Sequence, residues 1–113
     1  MCRMSDASTL APAEVLRLAD LITPTEHGIA SRVLARSAGG TMTLFAFDAG
    51  QGLSEHQTPF DAQVLVLDGA LTLTIGGRAV VATPGTIVRL PANVPHAVDA
   101  AAPARMLLVM LKG

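Results

Sequence analysis

The stretch SEHQTPFDAQVLVLDG, residues 54–69, sets His56 two residues ahead of Thr58, then a short turn, an apolar run and Asp68-Gly69. A neutral imidazole is the commonest metal ligand and a ready acid or base near neutral pH. The stretch therefore reads either as the start of a metal site or as the shell of one whose ligands have been replaced. The other residues able to do chemistry point elsewhere. His27 falls in a turn flanked by Pro24 and Gly28 and reads as a surface residue. Glu55 neighbours His56 and by strand alternation faces the opposite way, into solvent. Asp61, after Pro59 and Phe60, reads as a turn-capping residue bonded to nearby backbone amides. Cys2 is the only cysteine, which excludes an internal disulfide and a thiolate cluster; it reads as chemically idle. Met42, Met106 and Met110 sit on expected strands and read as core filler. There is no Ser-His-Asp ordering, phosphate-binding glycine loop or regularly spaced carboxylate pair.

Composition narrows the class of partner. The chain has 113 residues, half of them apolar, which suits one domain with one core. Net charge is −1, and the eight Lys and Arg, among them Arg17, Arg32, Arg36, Arg78, Arg89 and Arg105, form no basic stripe. Three Phe are the only Phe, Tyr or Trp residues. Nucleic-acid binding needs phosphate-neutralising charge and stacking faces, and neither is provided. No apolar window approaches the roughly 18 residues of a membrane-spanning helix, and MCRMSDAST lacks the apolar segment of a secretory signal. The expectation is a cytoplasmic protein without nucleic-acid or membrane partners. High apolar content with low charge further suggests that a second subunit covers part of the surface.

The elements that would position His56 read as strands. Residues 1 to about 11 form a loose leader, and PAEVLRLADLI, residues 12–22, has near-helical apolar spacing behind Pro12. Pro24 and Gly28 end that short helix. Beyond it come IASRVLAR, TMTLFAFDAG, QVLVLDG, LTLTI, RAVVA, TIVRL, HAVDA and ARMLLVML, separated by turns such as Ala38-Gly39-Gly40, Gly76-Gly77 and Thr83-Pro84-Gly85. Eight to ten short strands without interleaved helices make an all-β sandwich or barrel. Val64 and Val66 share a face, Leu71, Leu73 and Ile75 fall in the other register, and a bend or bulge at Asp68-Gly69 absorbs the difference. Leu65 and Leu67 are apolar too, so this strand is buried on both sides, its second face covered by the helix or a partner chain.

These residues resemble the cupin superfamily, in particular small single-domain proteins of the Cupin 2 type. The family's first motif is matched by Gly50, QGLSE, His56 and a closing Gly69. Its second is matched by Gly85, TIVRL, Pro91-Ala92-Asn93, VP, His96, AVD and Ala100. Asn93 stands where the family has glycine, and asparagine tolerates a left-handed backbone better than most residues. The resemblance covers roughly residues 29 to 112. It implies a double-stranded β-helix, a jelly-roll barrel, over residues 29–113, preceded by a leader and short helix over residues 1–28.

The resemblance also implies where a metal site would lie. Family members hold Fe, Mn, Ni, Cu or Zn with two histidines and a carboxylate from the first motif and a histidine from the second. On this chain those positions are His56, Thr58 in place of the second histidine, and His96. The carboxylate position falls on Gln63 counting forward and on Ala62 counting back from Gly69; the backward count keeps the register of Val64 and Val66. Two of four ligands remain, which lowers affinity for a divalent transition metal. The implied pocket is lined by His56, Thr58, Gln63 or Ala62, and His96, with Phe45, Phe47, Val64, Leu73 and Met106 as walls. The expected protein is a homodimer, in contact through residues 29–36 and apolar strand faces, that binds a small molecule beside a degenerate metal site. The alternative is a metal-dependent oxygenase or isomerase using His56, His96 and an unusual third ligand. A ligand-sensing role is a third class.

Overall fold

Alternation decides which way each strand faces, and β4 (Asp61–Asp68) shows it most clearly. Ala62, Val64 and Val66 are buried, while Gln63, Leu65 and Leu67 between them are only partly so. The computed structural model describes residues 10–112. In it the strands are β1 (Ile29–Ser37), β2 (Gly40–Phe47), β3 (Gly52–His56), β4, β5 (Leu71–Ile75), β6 (Arg78–Ala82), β7 (Ile87–Leu90), β8 (His96–Asp99) and β9 (Ala104–Leu111). They form a five-stranded sheet ordered β1-β2-β9-β4-β7 and a four-stranded sheet ordered β3-β8-β5-β6, with every pairing antiparallel. This is the expected all-β double-stranded β-helix.

Two apolar clusters follow from the two faces of the larger sheet. Between the sheets, Phe47, Val64, Val66, Leu71, Leu73, Leu90, Val98 and Met106 are all at most 2% exposed. On the outer face, Leu34, Leu44, Ala46 and Leu107 pack with Leu65, Leu67 and the N-terminal Leu18, Leu21 and Ile22. The double burial of β4 is thus explained inside one chain. The short helix expected before the barrel is a single 3-10 turn, Leu18–Asp20. The rest of residues 12–22 is irregular for a physical reason. Ala13 has φ 60° and Val15 is fully exposed, so nothing apolar rewards a regular helix there, and so short a helix is marginal without packing. The segment is held by charged donors: Arg105 Nε donates to the Ile22 carbonyl at 2.8 Å, and Arg32 donates to the Leu21 carbonyl at 3.2 Å.

The turns that matter to the site are built as their residues require. Gly76 and Gly77, at φ 57° and 83°, close the two-residue β5–β6 hairpin. The β4–β9 ladder shifts register between Val66 and Asp68, just before the corner at Gly69 where the chain crosses to the other sheet. Gly69 has φ 70°, and a Cβ there would collide with the Pro103 carbonyl and Ala104.

Candidate functional site at the paired histidines

His56 ends β3, His96 opens β8, and the two are register partners across that antiparallel pair. A ladder irregularity between Leu53 and His56 turns the His56 side chain toward its partner. The ring centroids are 4.4 Å apart with planes at 70°, an edge-to-face contact. His96 is buried at 6% exposure, whereas His56 is exposed, so the pair forms a rim with one wet and one dry member. His56 Nδ1 lies 2.8 Å from the Ser54 carbonyl, and His96 Nδ1 lies 3.3 Å from the Val94 carbonyl. A carbonyl can only accept, so in each ring the hydrogen belongs on Nδ1, and the neutral ring keeps its lone pair on Nε2. Burial, and secondarily the His56 ring, hold the His96 pKa below the usual imidazole value, against the opposing pull of the Val94 carbonyl.

The other expected site residues fall into three groups. Thr58 is engaged in its own turn: Oγ1 donates to the Phe60 carbonyl at 3.1 Å and accepts from the Phe60 amide at 3.3 Å. Ala62 faces the interior with Val64 and Val66, and Gln63 lies on the opposite face of β4. Phe47, Val64, Leu73 and Met106 are fully buried core between the sheets, with Phe45 packed against them and its ring 6.2 Å from that of Phe47. His27 is exposed, as expected, and its amide donates to Asp48 Oδ2 at 2.6 Å. Among the described residues no group of three or more His, Cys, Asp or Glu is placed to hold a metal ion. Two imidazoles beside an alanine and a turn-bound threonine do not fit a tightly held divalent centre, because the anionic ligand and one imidazole are lacking.

One long-range contact near the site escaped the sequence. Asp61 caps an amide, but not a nearby one: Oδ1 accepts from Ala92 N at 2.8 Å, 31 residues away. Arg89 Nη2 reaches both carboxylate oxygens, at 3.2 and 3.0 Å. The Ala92 amide first, and Arg89 second, hold the Asp61 carboxyl below the usual carboxylate range. Beside it, Asn93 N donates to the Thr58 carbonyl at 2.7 Å. No local pattern could have signalled contacts across that separation. Two open cavities are formed by the described residues, and neither is lined by His56 or His96. One of about 340 Å³ is lined by Ala35, Met42, Val109 and Leu111 among others. The other, about 400 Å³, is lined by Pro59, Asp61, Ala92 and Leu111.

Comparison with known proteins agrees with this architecture. The sequence model described as Cupin domain matches residues 43–110. A conserved protein of unknown function from Streptococcus pyogenes is 32% identical with a TM-score of 0.88, over 97% of this chain and 96% of that one. A cupin superfamily protein from Desulfitobacterium hafniense is 29% identical with a TM-score of 0.86, over 92% and 95%. A Cupin 2 conserved barrel domain protein from Leptotrichia buccalis is 35% identical with a TM-score of 0.81, over 86% of this chain but 47% of that one. No curated protein matches the chain significantly. With both motif turns in register, their histidines in contact, and the family's sequence model matching more than half its length, the chain belongs to the cupin superfamily.

Proposed function

We propose that this cupin binds a small molecule at the His56–His96 rim, and that the ligand is a hydrogen-bond donor such as a polyol. The observation that carries the reading is the commitment of both Nδ1 atoms to backbone carbonyls. It leaves two Nε2 lone pairs, which are acceptors, beside an apolar barrel interior. Two acceptors on adjoining rings suit a small ligand that carries hydroxyl donors. The retained imidazoles also keep a weak capacity for a divalent transition metal, and a metal-dependent enzyme of oxygenase or isomerase type is the competing reading. The chain is further proposed to act as a cytoplasmic homodimer, associating along residues 29–36 of β1 and exposed apolar strand side chains such as Ile29; among the described residues no helix is long and apolar enough to cross a membrane.

Elemental analysis of protein purified without added metal tests the reading, together with a thermal-shift screen of polyols. We expect far less than one transition metal per chain, and a polyol that raises the melting temperature of the native protein but not of His56→Ala. A near-stoichiometric metal that is lost in His56→Ala or His96→Ala would decide for the enzyme instead.

A further inference from the structure

The connections β3–β4 and β7–β8 both carry the chain from one sheet to the other, and they run side by side. Each is attached to one imidazole: residues 57–60 follow His56, and residues 91–95 precede His96. The β4–β7 ladder ends at Ala62 and Leu90, because Pro91 has no amide hydrogen to extend it and the chain leaves the sheet there. The Asp61 carboxylate supplies the next rung, taking the Ala92 amide at 2.8 Å in place of a backbone carbonyl. One residue on, Asn93 turns left-handed at φ 63° and gives its amide to the Thr58 carbonyl at 2.7 Å. The far end of the same turn is held by Gly76 N, which donates to the Pro95 carbonyl at 2.8 Å.

We propose that Asp61 is a positioning residue for the imidazole pair: by binding the Ala92 amide it sets the turn that carries His96 against the turn that follows His56. This rests on the pair being the ligand-binding rim. Asp61 acts through geometry rather than charge. Its Oδ1 aligns the two crossovers, and Val94 within the clamped turn offers the carbonyl that orients the His96 ring. A carboxylate serving only to pair with Arg89 on the surface would have no reason to reach Ala92.

The test is NMR on the ligand-free full chain, scored by the proton NOE between the His56 and His96 rings. Asp61→Ala is expected to lose that NOE and to shift both ring signals. Asp61→Asn, which keeps an oxygen for the Ala92 amide, and Arg89→Ala are expected to retain it. An intact inter-ring NOE in Asp61→Ala overturns the proposal, and so does an Asp61→Asn variant as damaged as Asp61→Ala. If Asp61→Ala does not fold, amide exchange in the native protein decides: slow exchange at Ala92 supports the clamp, and free exchange refutes it. Because no ligand is present, failure of the ligand reading would leave these outcomes unchanged and so remains distinguishable.

Discussion

His96 is a histidine kept mostly from water with another imidazole against it, and both conditions disfavour its charged form. Its pKa is therefore lower in the folded chain than in the unfolded one, where it is about 6.5. The sign of the linkage follows. Above that value both states carry the neutral ring and the protein has its full stability. As pH falls below it, the unfolded chain binds the proton first and stability is lost through the depressed folded pKa. Urea midpoints measured between pH 7.5 and 5 should fall with pH in the native protein, and much less in His96→Gln. An equal fall in both would place the acid sensitivity elsewhere. Asp61 and Asp48 act at lower pH: each is lowered chiefly by backbone amides, Ala92 for the first and His27 for the second, so their contributions persist until the carboxylate range is reached.

Strands here are short, and the corners between them carry the constraints. Gly69 sits where β4 leaves one sheet for the other, with a left-handed backbone and no room for a side chain beside Pro103 and Ala104. Gly69→Val should cost on the order of 2 kcal/mol or more, read from equilibrium urea unfolding. A cost within experimental error would mean that this corner is soft. Nearby, Arg105 combines two duties, since Nη1 pairs with Asp68 at 2.6 Å while Nε holds the Ile22 carbonyl. The corner and the N-terminal segment are in this way fastened by one side chain.

The whole molecule covers its larger sheet on both faces, by the second sheet on one side and by the N-terminal segment on the other. Apolar side chains such as Ile29, Val81 and Ile87 stay exposed among the described residues, at 36%, 69% and 61%, and β1 ends the larger sheet with its Leu34 carbonyl taking the Leu10 amide. The proposed homodimer uses β1, since an edge strand can pair with another strand. Sedimentation velocity should then give about twice the chain mass of 11.6 kDa, and Ile29→Lys should shift it toward the single chain. A native protein that sediments as a single chain at high micromolar concentration would remove the dimer.

Period-two alternation and turn residues were enough to read the all-β class, the Gly76-Gly77 hairpin and the shared face of Val64 and Val66. Those signals act between neighbours and survive in a linear string. The meeting of His56 with His96 was an expectation borrowed from a family resemblance until strand pairing made them partners. The hydrogen-bonded tautomers, the reach of Asp61 to Ala92 and the collapse of the expected helix to one 3-10 turn were not written locally at all. Each depends on what a distant segment presents — a carbonyl, an amide or an apolar face — and only closure of the two sheets brings those groups within reach.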